Sequence, residues 1–323
     1  KYQQKKLTTA ASLEYDFGTV TDALKGLSVK GMYSYDYRHD DNEAYRREYS
    51  LYAYDSVKDI YNVKTYGESS PSNLSKTSYN FSQQLAQALV TYDRTFSGHH
   101  VGVVAGYEYQ RRITDAYNAS GDLTFATPYF TALSGENQIV GLNQLSDYMY
   151  HSVIGRLNYD YKNRYLIEAQ FRYDGSSKLS RGHQWGFFPS VSAGWRISEE
   201  PFFAGAKSVV NQLKIRASYG ELGDDSSLNY EWITGYKYRG GETNDKGWYT
   251  EYVPGYIFGG SFIYSADPSA LPNDSITWLR NKTFDIGIDF EAWNGMLGFS
   301  GDYFHRKRTG IFKQNNLGIP TLV

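Results

Sequence analysis

The sequence predicts an all-β fold built as a transmembrane antiparallel β-barrel. Three observations carry that reading. Apolar and polar residues alternate with period two from end to end, the alternating runs are long, and the connections between them switch between short and long.

The composition narrows the choice first. The 323 residues include 32 Tyr, 17 Phe and 6 Trp, yet the mean hydropathy is -0.57. A soluble domain of this length would normally bury a larger aliphatic core. No stretch approaches the roughly 18 apolar residues of a membrane helix, so helical spanning is excluded. The absence of cysteine removes disulfides, thiolate chemistry and cysteine metal ligands,. A formal net charge of -2 offers no basic face, and no nucleic-acid partner is expected,. Lys1 is not followed by a charged-then-apolar leader, so either the protein is cytoplasmic or its front end lies outside this sequence,.

Each strand is read from side chains that fall on opposite faces at successive positions. In 7–16, Leu7, Thr9, Ala11, Leu13 and Tyr15 oppose Ser12, Glu14 and Asp16. In 27–38, Val29, Gly31, Tyr33, Tyr35 and Tyr37 oppose Lys30, Asp36 and Arg38. A strand over 77–92 reads ambiguously, and 99–112 sets Val101, Val103, Ala105, Tyr107 and Tyr109 against Glu108 and Gln110. In 148–160, Val153, Leu157 and Tyr159 oppose Arg156, Asn158 and Asp160. In 165–174, Ile167, Ala169, Phe171 and Tyr173 oppose Glu168, Gln170 and Arg172. In 185–198, Phe187, Val191, Ala193 and Trp195 oppose Ser190, Ser192 and Arg196. In 213–220, Leu213, Ile215, Ala217 and Tyr219 oppose Lys214, Arg216 and Ser218. In 283–292, Phe284, Ile286, Ile288 and Phe290 oppose Asp285, Asp289 and Glu291, and a last strand covers 297–306.

A soluble sandwich or propeller would alternate in the same way. Strand length separates them: many of these runs last about 9 to 13 residues, enough for a tilted strand to cross hydrocarbon, whereas soluble strands average about 5 or 6. Tyr and Phe gather at the run ends, where amphipathic rings suit the headgroup layer. The connections at 18–26, 93–98, 161–164, 199–212 and 293–296 are short or moderate, while those at about 39–76, 113–147 and 221–282 are long. Short turns on one side and long loops outside the cell are the layout of an outer-membrane barrel. No blade repeat is visible. The whole of 1–323 therefore reads as one partial barrel domain.

Little in the chain suggests chemistry of bond making or breaking, and no catalytic residue is assigned. His39, His99, His100, His151, His183 and His305 show no ligand spacing, so no metal site is expected from them,. Asp224 and Asp225 lie in a long loop and are the one place for a Ca²⁺ ion, with a solvated turn as the plainer reading,. Otherwise no cofactor is expected. The alternation puts Glu168, Arg172, Arg196, Lys214, Arg216, Asp285 and Asp289 on the inward face, as a polar wall to the lumen,. The 221–282 loop carries Tyr230, Trp232, Tyr236, Tyr238, Trp248, Tyr249 and Tyr252 among Gly, Asn and Asp. Such rings can stack on sugars or pack on peptides. They can equally hold the loop together above the barrel.

The stretch from 159 to 203 runs through Asp174-Gly-Ser-Ser177, Phe188-Pro-Ser190 and Ala193-Gly-Trp-Arg196. It resembles the barrel signature of the SusC/RagA family of TonB-dependent outer-membrane transporters of Bacteroidetes. The block from Leu213 to Gly223, the pair Thr277-Trp278 and the run Phe284-Asp-Ile-Gly-Ile-Asp-Phe290 follow in the same order, so the likeness covers more than half the chain. The resemblance implies a barrel of about 22 strands with a plugged lumen, of which only about ten strands are read here. Plug, TonB-contacting segment and closing strands are therefore expected to lie elsewhere. It further implies active import of oligosaccharides or oligopeptides, a SusD-like surface lipoprotein as a lid, and the TonB–ExbB–ExbD complex as the energy source. A passive pore or adhesion scaffold, and a soluble carbohydrate-binding β protein, are the rival readings.

Overall fold

A computed structural model describes residues 1–65, 71–135, 137–226, 228, 230–233, 235–238, 255–264, 266–268 and 272–311. The described chain is built of β-strands, turns and single-turn 3-10 helices. The long strands are β1 (Tyr2–Asp16), β2 (Leu27–Arg46), β5 (Asn73–Phe96), β6 (His99–Asp122), β7 (Ile139–Tyr161), β8 (Tyr165–Ser176), β9 (Trp185–Arg196), β10 (Val210–Asp224), β15 (Leu279–Ala292) and β16 (Leu297–Thr309). Six short strands sit in the long connections: β3 (Ser50–Asp55), β4 (Ile60–Thr65), β11 (Tyr236–Tyr238), β12 (Gly255–Phe258), β13 (Ser261–Tyr264) and β14 (Ala266–Pro268). The ten long strands hydrogen-bond in the order β1-β2-β5-β6-β7-β8-β9-β10-β15-β16, so each pairs with its neighbour in sequence once the loop strands are set aside. This is the meander that short turns between antiparallel strands dictate.

By compactness the chain divides into Lys1–Tyr92 with Val104–His151, and Asp93–Val103 with Ser152–Val323. In the first unit, β1 and β2 pair without interruption from Tyr2↔Asn42 to Asp16↔Ser28, and β2 continues on β5 from Leu27↔Tyr92 to Arg46↔Asn73. In the second, β8 pairs β9, β9 pairs β10, β10 pairs β15 and β15 pairs β16, all antiparallel. Tight turns are fixed by local backbone chemistry. Ser97 (φ 49°) and Gly98 (φ 81°) make a two-residue hairpin, and Lys162 (φ 52°) with Asn163 (φ 56°) makes another. Paired positive φ values give the turn twist that matches the twist of the strands.

The usual arrangement of inside and outside is reversed. Leu7, Leu13, Val29, Ile167, Val191, Ile215, Ile286 and Ile288 are all exposed, Leu13 by 80%. On the other face Glu168, Lys214, Arg216, Asp285 and Asp289 are half-buried. Apolar side chains facing outward in rows along ten strands are a surface for lipid rather than water,. Tightly packed apolar clusters occur where loops meet strand ends. In the first unit Leu74, Leu123 and Ala132 are buried with Tyr45, Phe130 and Leu133 against them. In the second, Trp278 is 2% exposed and meets the Phe188 ring edge-on at 5.3 Å. Gly223 makes that packing possible, since a Cβ there would stand 2.1 Å from Phe188 Cζ.

The strands extend beyond the segments that alternation marks, almost always at the long-loop end. The β2 strand runs to Arg46 and β5 begins at Asn73, so pairing enters the 39–76 stretch, where β3 and β4 also form a hairpin. Likewise β6 runs to Asp122 and β7 begins at Ile139. The ambiguous 77–92 segment lies within β5, whose outward face carries Ala86, Ala88 and Val90 but also Ser82 and Gln84.

Candidate functional site

The inward face of β7 to β10, β15 and β16 carries the polar groups, and register decides which of them meet. On β10, Arg216 is paired across the strand with Gly287 of β15, and Gly287 in turn with Asp302 of β16. With no side chain at Gly287, the arginine lies across β15: a Cβ there would meet Asp302 Oδ1 at 2.3 Å and Arg216 Cζ at 2.8 Å. Arg216 Nη1 and Nη2 reach Asp302 Oδ1 and Oδ2 at 2.7 and 2.9 Å, a two-toothed pairing. Its Nε donates to Asp289 Oδ2 at 3.2 Å, and Asp285 Oδ1 lies 3.7 Å from Nη1. Ser300 Oγ donates to Asp289 Oδ1 at 2.7 Å and closes the group. A guanidinium fork suits this work because its planar donors fit carboxylates edge to edge.

Beside this group a recess of about 420 Å³ opens inward, with Asn158, Glu168, Ser192, Lys214, Arg216 and Asp285 on its walls. Arg156 Nη2 donates to Glu168 Oε2 at 2.6 Å. Lys214 stands opposite Asp289 on one side and Arg196 on the other. His100, also lining the recess, has Nδ1 3.0 Å from Asp160 and Nε2 3.2 Å from Asp93. Most charges on the wall meet an opposite one, although Lys214 and Arg196 oppose each other, and the arrangement offers hydrogen-bonding groups of both signs.

Of the seven inward residues named from alternation, Glu168, Lys214, Arg216 and Asp285 line this recess and Asp289 joins them through Arg216. The other two lie apart. Arg172 is at the long-loop end, where Nη2 donates to the buried Ser152 Oγ at 2.7 Å and Nε to Asp174 Oδ2 at 3.2 Å, while Ser152 itself donates to Asp174. Arg196 is at the short-turn end, 3.7 Å from Glu199 and donating to Asn163 O at 3.4 Å. Asp302, Ser300 and the permissive Gly287 are the members of the Arg216 group that alternation did not single out. The Gly301-Asp-Tyr-Phe304 run holds Asp302, but only register shows that it faces Arg216.

The aromatic loop is described in part. Tyr230 is half-buried, at φ 60°, with its hydroxyl 3.0 Å from Ser177 Oγ, and Trp232 is half-buried as well. These two pack into the loop scaffold, whereas Tyr236 on β11 is exposed. Tyr238 lies on β11, and its side chain, like Trp248, Tyr249 and Tyr252, is outside the described residues. Asp224 Oδ1 accepts from Ser226 N at 2.8 Å as a turn acceptor, while Asp225 Oδ2 accepts from Ser176 Oγ at 2.5 Å and ties the loop to the end of β8. Hydrogen bonding to Ser226 holds the Asp224 carboxyl below the usual range.

A model of the family described as "TonB dependent receptor-like, beta-barrel" matches residues 4–321. The chain belongs to that family. Its home is therefore the bacterial outer membrane, and the sheet is a segment of a transmembrane β-barrel. Among curated relatives, TonB-dependent receptor SusC of Bacteroides thetaiotaomicron is 32% identical over 174 residues, 52% of this chain and 16% of the relative. TonB-dependent receptor P3 of Formosa agariphila is 28% identical over 229 residues, 70% of this chain and 21% of the relative. The chain thus spans about a fifth of the length of the curated relatives it matches. The solved RagAB peptide transporter shares the fold at a TM-score of 0.69 with 16% identity, over 95% of this chain and 31% of that one.

Proposed function

We propose that this TonB-dependent receptor barrel forms part of the wall of an active importer, and that its inward charges line the path taken by an oligosaccharide or oligopeptide. The observation that carries the reading is the contrast of faces across β10, β15 and β16: Ile215, Ile286 and Ile288 outward, Arg216, Asp289 and Asp302 inward. A polar wall most of whose charges are already paired holds water and makes weak, exchangeable contacts, which suits passage rather than retention. The likeness to SusC and to a peptide transporter supports the substrate classes and a SusD-like lid over the long-loop end. Opening is driven through TonB and its inner-membrane motor.

The test is uptake by whole cells of labelled oligosaccharide and oligopeptide pools, with the full-length gene present or deleted, in strains with and without TonB. Import that needs both the gene and TonB is the expected result. Import that survives loss of TonB overturns the energised mechanism and favours a passive pore.

A further inference from the structure

The outward face changes character at a single row. Across β10, β15 and β16 the register stacks outward side chains as Leu213–Phe290–Phe299, Ile215–Ile288–Gly301, Ala217–Ile286–Tyr303 and Tyr219–Phe284–His305. The next row toward the long-loop end is Glu221–Lys282–Lys307, and the row beyond is Gly223–Arg280–Thr309. Alternation keeps the rows through Glu221–Lys282–Lys307 on the lipid-facing side, whereas Gly223 and Arg280 in the row beyond turn onto the buried Phe188 ring,. The charged row begins only two residues, about 7 Å along the strand, past Tyr219 and Phe284. That is headgroup depth, where an amphipathic ring such as Tyr219 marks the edge of hydrocarbon.

The charges there do not balance. Glu221 is the only carboxylate in the two rows and is shared, with Lys282 Nζ 2.8 Å from Oε1 and Arg280 Nη1 3.2 Å from Oε2. Arg280 is also fixed by donation to Phe187 O at 3.2 Å and by the Phe188 ring at 5.2 Å. Lys307 is exposed, and among the described residues it makes no ion pair. It stands directly opposite Lys282, and like charges at opposed positions of an antiparallel pair destabilise the sheet,. In the first unit the corresponding outward extension is balanced: Lys76 Nζ lies 2.8 Å from Glu43, and His39 sits between Asn80 and Asp41. The cationic surplus belongs to β15 and β16.

We propose that Lys282 and Lys307 form a docking site for the phosphate of a lipid headgroup in the leaflet at the long-loop end of the barrel. Charge complementarity identifies the occupant. The two lysines need an anion between them, the single carboxylate is already taken, and the site faces the membrane at the level of the headgroups. The lysine stems lie along the outward face and lift their ammonium groups to that level.

The test uses the full-length transporter in uncharged detergent micelles and reads its unfolding midpoint by tryptophan fluorescence. The additions are dioleoyl phosphatidate, dioleoyl phosphatidylcholine and inorganic phosphate. Phosphatidate is expected to raise the midpoint while the zwitterionic lipid and free phosphate do not. The variant Lys282→Gln/Lys307→Gln is expected to lose at least half of that shift, whereas Lys5→Gln, an outward lysine on β1, keeps it whole. Lys307→Gln alone, which breaks no pairing, carries the same test if the double variant does not fold. An equal shift from phosphatidylcholine, an equal shift from free phosphate, or an undiminished shift in the lysine variants overturns the site.

Discussion

Arg216 on β10 and Asp302 on β16 pair across an intervening strand, at 2.7 Å between Nη1 and Oδ1, by passing over Gly287. The pairing draws three carboxylates, Asp285, Asp289 and Asp302, toward one guanidinium. Removing the arginine leaves those acids facing one another with only Lys214, opposite Asp289, as a neighbouring cation. Because the group is about a third exposed, solvent screening limits the effect. Arg216→Ala in the full-length protein is expected to lower stability modestly, and by less as salt is raised. Arg216→Lys recovers only part, since an ammonium cannot make the two-toothed pairing. Asp302→Asn added to Arg216→Ala should restore some of the loss. Urea unfolding in lipid vesicles measures all three, and strictly additive effects would show that the pair is not coupled.

Gly287 is the hinge of that arrangement, and its role separates from backbone freedom because the demand is for space. Gly287→Ala puts a methyl where Asp302 Oδ1 and Arg216 Cζ now stand, at 2.3 and 2.8 Å. Both atoms are the ends of flexible side chains that can swing aside, so the cost expected is limited to the ion pairs broken when they do. Gly298→Ala on β16 is the control, since a Cβ there meets nothing within 4 Å. Vesicle unfolding of the two variants should differ by that cost, and equal effects would remove the spatial argument.

These two positions also mark the limit of what the sequence discloses. Strand faces were legible wherever outward and inward residues differ strongly, as in Ile167, Ala169 and Phe171 against Glu168, Gln170 and Arg172. Past Tyr37 both faces become polar, with His39 and Asp41 on one side and Arg38 and Asp40 on the other. Hydrophobic alternation stops there, although the hydrogen-bonded ladder continues to Arg46↔Asn73. Backbone pairing needs no apolar side chain once the strand has left the lipid, so the long-loop ends of the strands were out of reach. The inward wall was legible residue by residue, but its partners were not. That Arg216 meets Asp302 rather than Asp285 alone depends on register across two interfaces, which no single strand encodes.

The outward rows give a depth-dependent expectation. Ile288 lies in the second of the four apolar rows, between Ile215 and Gly301. Ile288→Lys forces an ammonium into hydrocarbon and is expected to cost about 2–4 kcal/mol. Ser218→Lys, on the inward face of β10, places the same charge beside the recess that Asp285 also lines, and is expected to change stability little. Folded yield into vesicles and urea midpoints distinguish the two. Equal tolerance at both positions would contradict the assignment of faces.

The short-turn end is held by an acid. Glu200 follows β9 and is buried, with Oε1 accepting from Trp195 Nε1 at 3.0 Å and Arg164 at 3.6 Å from Oε2. Its carboxyl is held below the ordinary glutamate value of 4.5, first by hydrogen bonding to Tyr165 and then by Trp195, with Arg164 adding to it against the opposing cost of burial. Because the folded value lies below the unfolded one, the ionised form contributes stability that is complete above 4.5 and fades as pH falls through the lower folded value,. Stability measured from pH 7 down to about 3 should therefore drop below 4.5,. Glu200→Gln keeps an acceptor for Trp195 but cannot ionise, so it should be less stable at neutral pH and show a shallower acid slope. The tryptophan emission of Trp195, at the aromatic edge of the barrel, offers a local readout beside the global one. An unchanged acid slope in Glu200→Gln would assign the pH dependence to other carboxylates, of which Glu199, paired with Lys207 at 2.9 Å, is the nearest in sequence.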